Sequence, residues 1–166
     1  MAILLFCGSL AACSPTLNWR EVRPEGGLTA MLPCKPDKGA RAVPMAGKPV
    51  SLAVLGCDAG GATFALLSAE LAEPARSGEV LAQWKAATLA NLRSAAARET
   101  PFRPPGALGL PQSLRVVTWG QRANGSPVES QAAYFARGSR VFQAVIYAAQ
   151  IKPEVADPFF SGLKFE

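Results

Sequence analysis

The chain has 166 residues, with 17 Lys and Arg against 12 Asp and Glu and no histidine, for a net charge of +5. Without imidazole there is no Ser-His-Asp triad and no Cys-His pair, and structural zinc, which takes four Cys or His ligands, has a poor set to draw on. The basic residues are scattered rather than interleaved with aromatics in one run, so no nucleic-acid partner is expected, and general attraction to an anionic membrane surface is the simpler reading.

The first element is apolar. Ala2-Ile3-Leu4-Leu5-Phe6-Cys7 has the length of a signal h-region and falls short of the roughly 20 residues that a membrane-spanning helix needs. The apolar stretch closes on Leu10-Ala11-Ala12-Cys13, and a polar segment starts abruptly at Ser14-Pro15-Thr16. Leu10-Ala11-Ala12-Cys13 resembles the lipobox of bacterial lipoproteins, whose cysteine is acylated and becomes the first residue of the mature protein. The basic residues that usually open such signals are absent, Arg20 being the first. The resemblance implies a signal peptide over residues 1–12, a lipidated tether over 13–18 with Cys13 carrying the lipid, and one α+β domain over 19–166. Ser14, in place of the Asp that retains lipoproteins on the inner membrane, implies the outer membrane, facing the periplasm.

In the expected domain, residues 19–22 and 28–32 read as two strands around Pro24-Glu25-Gly26-Gly27. Cys7 would leave with the signal and Cys13 would carry lipid, so Cys34 and Cys57 remain. An even pair in the oxidising compartment that the lipobox implies favours a disulfide over a metal site. Residues 49–57 and 62–68 form a second hairpin around Asp58-Ala59-Gly60-Gly61, and its near-continuous apolar character implies burial on both faces for part of its length. Glu70 and Glu73, close together before Pro74 and Arg76, read as a solvated strand exit rather than a catalytic carboxylate pair.

From Ser77 to about Ala97 the period becomes helical. Val80, Leu81, Trp84, Thr88, Leu92 and Ala95 recur at intervals of three and four, with Ser77 as the expected N-cap and Glu79 in the first turn. Trp84 reads as a core anchor rather than a ligand stacker. Residues 99–112 carry Pro101, Pro104, Pro105, Pro111, Gly106 and Gly109 and read as a long loop. That loop is either a crossover covering a sheet edge or a recognition element whose apolar side chains, Phe102, Leu108 and Leu110, meet a partner. Three strands follow over 114–119, 128–137 and 140–147, the last two joined by a two-residue Gly138-Ser139 turn. Pro153 opens a short terminal helix from which Phe159, Phe160 and Leu163 pack inward.

The order gives an α+β fold: a mainly antiparallel sheet of about six strands flanked by one long and one short helix. The opening Trp19-x-x-Val22-x-Pro24-Glu25-Gly26-Gly27-Leu28-Thr29-Ala30-Met31-Leu32-Pro33 and the close, Arg140 to Val145 with Phe159-Phe160-Ser161-Gly162-Leu163-Lys164-Phe165, resemble the PsbP/Mog1-like domains. These are αβα sandwiches that include small bacterial lipoproteins. The resemblance implies binding and assembly at membranes rather than catalysis, with no cofactor. The expected function is therefore a non-enzymatic interaction or assembly module, anchored to the envelope by lipid and meeting an envelope protein partner. The alternative is a periplasmic carrier or sensor of a small apolar ligand. An enclosed apolar pocket beside the sheet would favour the carrier, and a shallow exposed patch near the Pro-rich loop the docking module.

Overall fold

A computed structural model describes residues 16–166; Cys13 and the apolar segment before it lie outside the described residues. The elements in order are β1 (Arg20–Val22), β2 (Leu28–Leu32), β3 (Asp37–Met45), β4 (Lys48–Ala59), β5 (Ala62–Glu70), α1 (Ser77–Asn91), β6 (Ala96–Pro101), β7 (Leu114–Gln121), β8 (Pro127–Arg137), β9 (Arg140–Ala148), α2 (Pro153–Ser161) and β10 (Lys164–Phe165). They build a seven-stranded sheet, ordered β3-β4-β5-β9-β8-β7-β6, and a small sheet, β1-β2-β10. Every strand pair is antiparallel. The chain makes one meander through β3, β4 and β5, crosses over on α1 to the far edge, and returns through β6, β7 and β8 until β9 pairs with β5.

Side-chain alternation then fills two cores. On one face of the large sheet, Leu55, Phe64, Leu66, Phe135, Phe142 and Ile146 pack with Leu28 and Leu32 of β2 and with Phe159, Phe160 and Leu163 at α2. On the other face, Leu52, Leu67, Val116, Tyr134, Val141 and Val145 meet Val80 and Leu81 of α1. The mixed α+β class and the antiparallel sheet agree with the sequence pattern, but the strand count does not. A sheet of about six strands becomes seven plus three, because β3, β6 and β10 have no apolar alternation to reveal them. β6 is exposed throughout and β3 nearly so, and both lie on sheet edges.

The span expected for the long helix is also corrected. α1 stops at Asn91 rather than near Ala97. Its end is a Schellman-type turn: Ser94 N–H donates to the Leu89 carbonyl at 3.0 Å and Arg93 N–H to that of Ala90 at 3.0 Å. Arg93 takes φ +48°, the left-handed position that usually falls to glycine. The chain then docks on β7 through Gln121 N–H to Leu92 O, 2.7 Å, and Ala95 N–H to Trp119 O, 3.2 Å. Gly120 permits this approach, since a Cβ there would lie 2.1 Å from the Leu92 carbonyl oxygen. Ala96–Pro101, expected as helix end and loop, pairs along β7 instead. Ser77 is the first helical residue and not the N-cap, which is Arg76; the Ser77 hydroxyl donates to the Pro74 carbonyl at 2.7 Å.

The two-residue turn at Gly138-Ser139 is present, with Arg137 paired to Arg140 across it. The Cys34–Cys57 disulfide is formed, with Cα atoms 6.0 Å apart. It joins the exit of β2 to β4 and so ties the small sheet to the large one. Glu70 and Glu73 stand apart, each in its own ion pair, with Arg140 and Lys48 respectively. Among the described residues no helix is long and apolar enough to cross a membrane, and no three Cys, Asp or Glu side chains gather as a metal site.

Candidate functional site

α1 crosses one face of the large sheet obliquely. Its first turns bury Val80 and Leu81, and its end is bonded to β7, so the half of the sheet made of β3, β4 and β5 is left partly uncovered. Between the helix and that half lies a groove of about 730 Å³. The size falls in the ~300–1,000 Å³ range of small-molecule sites. Its floor is Leu52, Val54, Ala65, Leu67 and Val145; Val43 and Met45 of β3 line one wall, and Trp84, Ala87 and Leu92 the other. The floor position Ala65 carries only a methyl group, and its cross-strand partner on β4 is Gly56.

Polar groups occupy two places in this apolar lining. Within the groove, Gln143 of β9 is only 4 % exposed, and its Nε2 donates to Thr88 Oγ1 at 3.1 Å and to Tyr134 OH at 3.0 Å. Thr88 donates in turn to the Trp84 carbonyl at 3.0 Å, which links the buried amide to the helix backbone. Burial pushes the Tyr134 hydroxyl up to about 12, against the smaller opposing effect of its hydrogen bonds with Thr88 and Gln143. The Tyr147 hydroxyl, also lining the groove, is raised by burial, with the nearby Arg41 guanidinium acting the other way. At the rim stand Arg41, Gln83 and Asn91, and Arg41 has no ion-pair partner among the described residues. The site can therefore hold an apolar body, orient it with a hydroxyl and an amide, and meet a polar or anionic end at the rim.

Trp84, expected as a core anchor, is half-buried: it packs edge-on to Tyr134 with ring centroids 6.4 Å apart and also lines the groove. The three residues singled out on the Pro-rich loop separate. Phe102 turns into the core and packs against Phe160 at 6.0 Å and Phe135 at 6.5 Å. Leu110 joins the helix-side core, and Leu108 is 40 % exposed. The loop as a whole is tied to the body, Leu108 N–H donating to Ala136 O at 2.8 Å and Phe165 N–H to Pro105 O at 2.9 Å.

Sequence reading missed Arg41, Gln143 and Tyr147. Arg41 sits on a strand with no apolar pattern. Gln143, a lone amide inside the apolar run Val141 to Ile146, did leave a signal, because a buried strand carries such a side chain only where it finds partners. A scan against protein-family models and a search of curated proteins return no match for the chain.

Proposed function

We propose that the chain is a lipid-anchored, periplasm-facing envelope protein that binds a small apolar ligand in the groove between α1 and the sheet, as a carrier or sensor and without catalysis. The observation that carries this reading is the groove itself: about 730 Å³, floored by aliphatic side chains and furnished with one buried amide and one tyrosine hydroxyl. Few convergent polar groups in an apolar cleft are the ordinary make-up of a ligand site. The anchor rests on Leu10-Ala11-Ala12-Cys13 and the location on Ser14. A PsbP/Mog1-like relationship belongs to the same proposal, supported by a helix on one face of the antiparallel sheet and a helix with a small sheet on the other.

The docking-module reading, in which a protein partner in the envelope meets Phe102, Leu108 and Leu110, has less to stand on. These side chains do not share a surface, and Leu108 alone among them is well exposed.

The test is titration of the full-length protein with N-phenyl-1-naphthylamine, an apolar fluorophore, while following both its emission and the quenching of tryptophan. Saturable binding at one site, displaced by a solvent extract of protein isolated from its own membranes, is expected. Absence of saturable binding overturns the proposal. Incorporation of labelled fatty acid into the wild type but not into Cys13→Ala tests the anchor separately.

A further inference from the structure

We infer that the end of the domain carrying the β4–β5 turn is a docking face for an anionic phospholipid surface. Pairing through the large sheet sets Ala59, Ala62, Ala148, Glu129, Trp119 and Ala96 in one row. This row marks one end of the molecule. Thr16 and Leu17, where the described chain starts, lie there: a Cβ on Gly60 would come within 3.5 Å of both side chains. Cys13 is three residues earlier, a reach of roughly 11 Å at full extension. The inference rests on the reading of Cys13 as the lipidated residue, which holds this end against the bilayer.

Charge is sorted along the same axis. At the tether end stand Arg20, Lys35, Lys38, Arg93, Arg122 and Lys152, none of them ion-paired among the described residues. The segment before Thr16 contains no Asp or Glu to pair with them. The acidic side chains at this end are Asp37, Asp58 and Glu154, together with the buried Glu129, which accepts hydrogen bonds from Gln131 and the Ile151 N–H. At the opposite end most cations are neutralised, Arg23 by Glu21 and Glu166, Lys48 by Glu73, Arg76 by Glu79, and Arg140 by Glu25 and Glu70, while Arg137 donates to the Glu166 main-chain oxygen and Arg103 and Lys164 have no ion pair among the described residues. Trp119, 41 % exposed, sits on the tether-end row with the Arg98 guanidinium 5.2 Å from its ring centroid. An exposed Trp among unpaired cations suits the headgroup layer, which takes the indole at its boundary and the charge at its phosphates.

One consequence concerns the groove. Its lining extends to Asn91, Leu92 and Tyr147, the last of these paired with Thr63 next to the same row, so one end of the ligand site faces the membrane side.

The test compares two variants in a full chain bearing Cys13→Ser, which cannot be acylated. One carries Arg93→Gln, Arg122→Gln and Lys152→Gln; the other removes the same charge at the far end with Lys48→Gln, Arg103→Gln and Lys164→Gln. Each is partitioned onto phosphatidylglycerol-containing and pure phosphatidylcholine vesicles, and the ratio of the two affinities is read, in which the contribution of the apolar N-terminal segment cancels. The tether-end variant is expected to lose on the order of 100-fold in that ratio, from roughly fivefold per surface cation. The far-end variant is expected to keep the wild-type ratio. Salt at about 1 M, where the Debye length is ~3 Å, should bring all three together. Equal losses in both variants, or no preference of the wild type for anionic vesicles, overturns the inference. A failed fatty-acid labelling experiment would sink the anchor but leave this partition readable.

Discussion

Ala65→Phe is the sharpest probe of the groove. Ala65 lies on the floor at the centre of the sheet, opposite Gly56 and beside Val145, so an aromatic ring placed there rises into free space instead of displacing packed atoms. A buried Phe covers ~150–250 Å². If about 100 Å² of that would otherwise be offered to a ligand, the lost burial is worth about 2.5 kcal/mol at ~25 cal/mol per Å², or roughly 70-fold in affinity. The usual 1–3 kcal/mol cost of overpacking should be absent, because the cavity of about 730 Å³ already exists. The assay is the naphthylamine titration together with thermal unfolding. Binding should fall by well over tenfold with the melting temperature unchanged or slightly raised. Unaltered affinity would refute the assignment of the groove as the ligand site, and a large drop in melting temperature would refute the claim that the space is free.

Other outcomes follow from the same geometry. The Cys34–Cys57 bond closes a separation of 23 residues, and the chain-entropy model assigns such a loop about 3 kcal/mol, so replacing both by Ser should lower the melting temperature by roughly 10 °C in calorimetry. Phe102→Ala should cost about 3 kcal/mol in urea denaturation, since the ring is packed between Phe135 and Phe160, whereas Leu108→Ala should be within about 0.5 kcal/mol of the wild type. Tyr134, raised by burial from an ordinary value near 10 to about 12, stays neutral in the fold while the unfolded chain ionises. Its contribution is therefore complete below about pH 10 and declines at about 1.4 kcal/mol per pH unit as the pH climbs through 12. Tyr134→Phe should accordingly shift the alkaline unfolding midpoint to higher pH, and an unshifted midpoint would contradict the assigned burial.

Much of the architecture was legible along the chain because burial writes itself as period. β5, β9 and the second half of β8, from Ala132 to Ala136, are flanked by cores on both faces, so their sequences are nearly continuous apolar runs. The first turns of α1 bury one stripe, so Val80, Leu81 and Trp84 recur at helical spacing. The turn at Gly138-Ser139 and the start of α2 at Pro153 are local backbone chemistry, readable from two or three residues. Even the Cys34–Cys57 pairing needed no coordinates, only the count of thiols and the compartment the lipobox implied.

Edges and spaces were decided elsewhere. β3, with Gly39, Arg41 and Pro44, and β6, with Ala96, Ala97, Arg98 and Glu99, bury almost nothing; they are strands because β4 and β7 offer them unpaired backbone groups. By local propensity Ala96–Arg98 reads as helix, and a sheet edge overrode it. The groove has no sequence signature at all, since it is defined by where α1 does not lie. That placement follows from Gly120 admitting the Leu92 carbonyl onto β7, which pins the helix end over one half of the sheet and leaves the other half open. The chain by itself determined which residues would be buried, because each side chain carries its own hydrophobicity. Only the tertiary structure decided which buried surfaces would fail to meet, because a cavity belongs to the distance between elements and to no residue within them.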